Sequence, residues 1–270
     1  MSAALPIRQV EKPWGRDTLP APFVAPPGER IGEIWFEPPA SLPQLLVKYI
    51  FTSEKLSVQV HPSDTETLAK GLGRQGKEEC WLIVDAEPGA VLGIGFREPL
   101  SGEAIRVAAL DGSIEALMEW HPVRGGDFFY IPAGTVHAIG AGISLIEVQQ
   151  NSDITYRLYD YGRPRELHLS EGSAVAHGTR YPAGLRLSVP DRNDVTLVEG
   201  PLFRLDQIEG RANEDVAVRY GERPLLVIPR KGAARIGGEE IAPGGCGLAP
   251  NLDAVAFAEN GTCLIAQPLR

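Results

Sequence analysis

The stretch Gly126-Asp-Phe-Phe-Tyr-Ile-Pro-Ala-Gly-Thr-Val-His137 constrains the fold more than any other part of the chain. An apolar run ends at Pro132, which cannot donate to a sheet ladder, and Gly134 follows as a residue suited to a tight turn. The pattern predicts a rigid hairpin that aims the His137 imidazole into whatever the strands enclose. Much of the remaining chain is broken in the same way. Thirty glycines and 23 prolines in 270 residues punctuate short apolar runs, which favours an all-β protein over a helical one.

Residues 1–30 are proline-rich and read as a strand-and-loop arm. Strands are expected at Gly32–Phe36, Leu45–Phe51, Leu56–His61, Lys77–Val84 and Ala90–Phe96, and again at 143–151 and 153–160. Ser63 is placed to cap a short helix. Apolar residues from Ser101 to Trp120 recur at helical spacing around Gly112, predicting a helical insertion at about 98–121. A short helix is expected over 170–176. From Leu185 on, short strands alternate with Gly, Pro, Asn and Asp turns, Val216–Tyr220 among them, and Gly237-Gly238 suits a two-residue hairpin turn. The expected division is a catalytic barrel over 1–165 and a second β domain over 166–270 that lacks ligand-type clusters. His168 and His177 stand near the start of this second part without evident partners.

Composition excludes several classes of function. Net charge is −9 with no Lys/Arg block, which argues against a nucleic-acid surface. No apolar run approaches a membrane span, and residues 1–8 lack a signal-peptide core. The three cysteines, Cys80, Cys246 and Cys263, have no metal-type spacing and suit a reduced, cytoplasmic compartment. Cys80 lies in an apolar run and is expected to be buried.

Side chains alternate along a strand, so Ser57, Gln59 and His61 share one face. Glu147 shares a face with Leu145 and Gln149, and a mid-strand carboxylate is expensive to bury unless paired. Lys48 interrupts an apolar strand, either snorkelling to its end or facing an interior pocket. Gln59, His61, Glu79 and His137 together offer two nitrogens and two oxygens, a set that suits Zn²⁺, Mn²⁺ or Fe²⁺. Without a metal, the same residues read as two surface side chains and a satisfied core histidine.

The segment from Gly126 to His137 is similar to the second cupin motif: Gly, five residues, Pro-x-Gly, two residues, His. Gln59-x-His61 stands where cupins carry His-x-His, and the glutamate is displaced to Glu79. That departure resembles the type I phosphomannose isomerases. Pro43–Lys48, Leu56–Pro62, Gly76–Trp81, Gln150–Asp160 and Arg165–His168 are similar to further family segments. Gly76 and Ile154 replace a His and an Asn of longer members, and Ala141 replaces the Asn that often follows the cupin His.

The resemblance implies a cupin barrel with a small helical insertion and a second, degenerate cupin-like barrel. It implies zinc-dependent interconversion of mannose 6-phosphate and fructose 6-phosphate. By position, Gln59, His61, Glu79 and His137 match the metal ligands for one Zn²⁺ per chain. Arg157, Lys77, Glu147 and Asp153 match catalytic residues, and Ser57 and Lys48 match residues that approach the phosphate. Glu147, Asp153 and Lys77 are all base candidates. The expected partner is a small sugar phosphate, with no nucleic acid and no membrane, and the chain is expected to be a monomer or weak homodimer. Two other readings are a metal-dependent cupin isomerase or epimerase acting on another sugar or sugar phosphate, and a non-catalytic sugar-phosphate binder. An iron cupin oxygenase fits less well, because its usual ligand set is richer in histidine.

Overall fold

The computed structural model describes residues 2–270. It is 41% strand and 15% helix, a mainly β protein as expected. The first unit contains β1 (Ile7–Arg16), β2 (Ile31–Phe36), β3 (Leu45–Phe51), β4 (Val58–Val60), β5 (Glu79–Ala86), β6 (Val91–Phe96) and β7 (Met118–Pro122). It continues with β8 (Asp127–Ile131), β9 (His137–Ile139), β10 (Ile143–Gln150), β11 (Tyr156–Tyr159) and β12 (Arg186–Ser188). These form a seven-stranded sheet, β1-β2-β3-β10-β5-β8-β12, and a five-stranded sheet, β11-β4-β9-β6-β7. The pairs within both sheets are antiparallel.

Four helices belong to this unit: α1 (Asp64–Ala69), α2 (Gly102–Asp111), α3 (Ile114–Leu117) and α4 (Leu169–Val175). Ser63 caps α1 in a complete capping box with Glu66. Gly112, in the left-handed region at φ 82°, stops α2. The expected helical insertion is therefore two helices, and its last residues from Met118 turn extended and pair with β6.

The second unit holds β13 (Val195–Glu199), β14 (Phe203–Glu209), α5 (Glu214–Tyr220), β15 (Leu225–Lys231), β16 (Ala234–Ile236), β17 (Glu239–Ile241), β18 (Gly247–Ala249), β19 (Val255–Phe257) and β20 (Thr262–Pro268). Its sheets run β13-β14-β20-β15-β18 and β17-β16-β19. The expected strand at Val216–Tyr220 is instead α5. Asn213 caps it by accepting from the Val216 amide, Glu214 and Asp215 favour its first turn, and the buried Val216 and Tyr220 sit four residues apart. Apolar alternation alone misread that segment.

Layer order follows from the apolar clusters. Val58, Val60, Ala138 and Leu158 pack under α2, α3 and α4. Trp81, Leu92, Ile94, Ile139 and Leu145 join the two sheets of the first unit. Tyr49, Phe51, Ile146 and Val148, on the opposite face of the seven-stranded sheet, pack on Phe203, Leu205, Ile228 and Leu264 of the second unit. The seven-stranded sheet is thus a middle layer, and β3 and β10 are buried along their whole length. That explains the near-continuous apolar character of those strands and makes the polar exceptions in them informative.

Past residue 165 the chain stays against the first unit for two more elements. α4 packs with α2 and β11, and β12 pairs with β8.

Candidate metal centre

Sheet register brings the expected residues together in two rows. On the five-stranded sheet, Arg157 of β11 pairs with Gln59 of β4, and Gln59 pairs with His137 of β9. On the seven-stranded sheet, Trp35, Lys48, Glu147 and Trp81 pair in succession across β2, β3, β10 and β5. Glu79 opens β5 and reaches from the second row to the first.

Glu79 Oε1 lies 3.3 Å from His137 Nε2, and Oε2 lies 3.7 Å from His61 Nε2. One ligating atom from each of these three residues falls within 4.8 Å of the other two. All three side chains are essentially inaccessible to solvent. Gln59 Nε2 is 3.2 Å from His137 Nε2. Rotating that carboxamide end for end presents its oxygen at the same place.

Backbone carbonyls set the two imidazoles. His61 Nδ1 donates to the Ile154 carbonyl at 2.9 Å, and His137 Nδ1 donates to the Thr135 carbonyl at 2.9 Å. A carbonyl can only accept, so each ring carries its proton on Nδ1 and turns the Nε2 lone pair toward Glu79. This is the outer support that metal-binding histidines use. Burial, reinforced by Lys77, holds the His61 pKa well below its usual value. Burial likewise lowers His137 to about 4. Both rings are neutral at pH 7, the state that binds a metal.

Glu79 supplies a further sign of fit. Lys77 Nζ makes an ion pair with Oε2 at 2.7 Å, yet no hydrogen bond of good angle reaches either buried carboxylate oxygen. Burial, then the nearby Glu147 charge, raises the Glu79 pKa despite Lys77. A divalent cation among these atoms would relieve that penalty. Two neutral imidazoles, one carboxylate and one carboxamide are chemically suited to hold one.

The hairpin behaves as its sequence requires. The Gly134 amide donates to the His61 carbonyl at 2.8 Å, and its own carbonyl accepts from the His177 amide at 2.7 Å. A Cβ at Gly134, where φ is 82°, would meet the His177 ring at 2.6 Å. His168 is also engaged: its amide donates to the Arg157 carbonyl at 2.7 Å, and its Nδ1 accepts from the Arg157 amide at 3.2 Å. Both histidines that lacked evident partners therefore brace the site from behind.

A cavity of about 350 Å³ lies beside this cluster, with Gln59 and Lys77 in the wall between them, within the usual range for small-molecule sites. Lys48, Ser57, Gln59, Lys77, Glu147, Asp153 and Arg157 all line it. Lys48 faces the interior: its Nζ is 3.0 Å from Glu147 Oε1, 2.6 Å from Gln149 Oε1, and 4.6 Å above the Trp35 ring. Trp81 donates to Glu147 Oε2 at 3.0 Å. Burial alone would raise the Glu147 pKa, but Lys48 and Lys77 outweigh it and hold the carboxylate ionised. Burial likewise opposes the Lys77 charge, yet Glu79 and Glu147 raise its pKa overall. Ser57 Oγ is 3.3 Å from Gln59 Oε1. Arg157 donates to the Glu166 carbonyl at 2.8 Å, and its buried Nε has no partner. Asp153 is exposed to the cavity and belongs to no ion pair among the described residues.

The cavity wall also includes Lys12, Glu33, Trp35, Thr155 and Arg165, which sequence reasoning missed. Glu33 carried a usable signal: it alternates with Trp35 in a mostly buried strand, and it binds the Trp35 indole at 2.6 Å and Lys12 at 3.3 Å. Lys12 carried none, because its segment reads as an irregular arm.

No family model matches the chain. It is 37% identical to the mannose-6-phosphate isomerase of Streptococcus mutans, over 76% of this chain and 66% of that protein. It is 36% identical to mannose-6-phosphate isomerase ManA of Bacillus subtilis, over 74% of this chain and 65% of that one. This chain belongs to the type I phosphomannose isomerase family. It spans just under two thirds of the length of these relatives. Two solved structures agree in fold over nearly all of the chain. The mannose 6-phosphate isomerase of B. subtilis superposes with a TM-score of 0.76 at 22% identity, covering 98% of both chains. A putative mannosephosphate isomerase of Archaeoglobus fulgidus gives 0.72 at 19% identity, again covering 98% of both. The fold is that of the cupins. Among the described residues, no helix is long and apolar enough to cross a membrane.

Proposed function

We propose that this family member interconverts mannose 6-phosphate and fructose 6-phosphate at a single zinc ion held by Gln59, His61, Glu79 and His137. The observation that carries the reading is the convergence of two carbonyl-locked imidazoles on a buried carboxylate, beside a cavity lined by Lys48, Lys77 and Arg157. Bound zinc would supply positive charge at the sugar oxygens where the enediolate develops.

The reaction moves a proton from C2 to C1 of the sugar, and another from the C2 oxygen to the C1 oxygen. Asp153 is assigned the carbon proton, since it faces the cavity with no cation bound to it, whereas Glu147 is already held by Lys48 and Trp81. Lys77, as an ammonium, stands beside the ligands to hold a sugar oxygen and pass it a proton. Arg157, in the cavity wall, sets its guanidinium charge near developing negative charge. Lys48 and Ser57 are assigned to the phosphate end. We assign the chemistry to residues 1–165 and a bracing role to 166–270. Three free, buried cysteines support a reducing compartment.

A coupled assay on purified, zinc-loaded protein tests this. Turnover of mannose 6-phosphate is expected, lost with chelator and regained with zinc. Zinc-loaded protein that converts neither hexose phosphate contradicts the substrate assignment and leaves the cavity to another sugar.

A further inference from the structure

A second groove of about 340 Å³ lies behind the active cavity, at the seam between the two units. Tyr49, Ile146 and Val84 come from the seven-stranded sheet, and Arg230, Lys231 and Thr262 from the second unit. Neighbouring residues on a strand normally point to opposite faces, so Arg230 and Lys231 should not share a groove. A bulge allows it. β15 pairs Pro229 with Cys263 and Lys231 with Thr262, leaving Arg230 as the extra residue. Bulges of this kind re-aim side chains, and here the bulge turns two adjacent cations toward one space.

Neither cation has a carboxylate within ion-pair distance among the described residues, in a chain whose net charge is −9. Arg230 is only partly accessible and touches Gln207 with one guanidinium nitrogen. Asp191 stands at the groove without pairing with it. Asp191 offsets only part of the cost of burying the Arg230 guanidinium, and an anion in the groove would supply the rest.

We propose that this seam is a binding site for a phosphate group, held by Arg230 and Lys231 with the Thr262 and Tyr49 hydroxyls beside them. Two cations of different geometry suit a phosphate dianion: Arg230 as a fork and Lys231 as a point charge. The apolar wall of Ile146 and Val84 accommodates the body of a small phosphorylated metabolite. The site is back to back with the catalytic cavity. Tyr49 and Ile146 are paired in the ladder, and the next pair along the same strands is Lys48 and Glu147, which faces the other way. An anion in the seam therefore rests on the strands that carry the active-site ion pair.

The test is calorimetric titration of the metal-loaded protein with inorganic phosphate, beside a Lys48→Met variant to remove the cation assigned to the phosphate in the catalytic cavity. Binding at the seam is expected to persist in folded K48M. Adding Arg230→Gln or Lys231→Met to K48M should weaken it by about tenfold or more, the size expected for a lost charge-assisted contact. K231M alters an exposed residue, so it reports even if R230Q folds poorly. Phosphate affinity unchanged by both substitutions, or no phosphate bound by folded K48M, overturns the proposal.

Discussion

The two units bury opposite kinds of interior. Between the seven-stranded and five-stranded sheets, His61, Lys77, Glu79, His137 and Glu147 are all buried. In the second unit, Ile208, Val227, Ile236, Ile241 and Ile265 pack as one apolar cluster. The buried carboxylate of the second unit is fully paired, although the Arg204 Nε there has no partner. Asp206 accepts from Tyr220 at 2.9 Å, Arg219 at 2.6 Å and Thr196 at 2.7 Å. In the first unit, buried Glu79 has one ion pair, to Lys77 at 2.7 Å, and its other oxygen faces His137 Nε2 at 3.3 Å. A carboxylate paired on all sides stabilises, whereas one turned toward two imidazole lone pairs sacrifices stability for a ligand.

The largest effect should come from breaking the first interior at its ligands. His137→Ala or Glu79→Ala should abolish stoichiometric zinc and lower kcat by orders of magnitude, while circular dichroism still shows a folded β protein. Next, Asp153→Asn should lower kcat by about 10²–10⁴-fold with zinc content unchanged. A full complement of activity in D153N would return the base role to Glu147 or Lys77. Third, Ile265→Ala in the second interior should cost about 2–5 kcal/mol of stability, read by urea denaturation. At low temperature its zinc content and kcat should match the parent, and a loss of zinc there would erase the contrast between the two interiors.

The smallest effect is a pH dependence of the metal-free protein. His61 and His137 have folded pKa values depressed from 6.5 by burial. The unfolded chain therefore binds more protons below that value, and stability present above pH 6.5 is lost as pH falls toward about 4. Glu79, whose pKa is raised, acts in the opposite sense. Glu79→Gln should thus steepen the fall in Tm on acidification of metal-free protein, and an unchanged slope would contradict the assigned shift.

The same contrast explains what could be read from sequence. His137 on its hairpin, His61 on a polar strand face and Glu79 at a strand entrance could be grouped from sequence, but spacing alone left a metal site and ordinary side chains equally open, and the family resemblance decided between them. Glu147 and Lys48 stood out for the same reason, as charges within apolar runs. Their direct pairing with each other was not legible, because it depends on which strands become neighbours, and β3 and β10 are nearly a hundred residues apart in the chain. Val216–Tyr220 was misread because its apolar residues suit either period, and the Asn213 cap carried the deciding information. The bonds of His168 and His177 were not legible, since they run to backbone atoms of Arg157 and Gly134.

Whether the first interior is a metal centre can be measured directly by X-ray absorption at the zinc edge of the loaded protein. The account predicts two imidazole nitrogens and oxygen ligands at about 2.0–2.2 Å with no sulfur, and loss of one imidazole shell in His61→Ala. A sulfur shell, or a hydrated ion whose spectrum is unchanged in H61A, would contradict it.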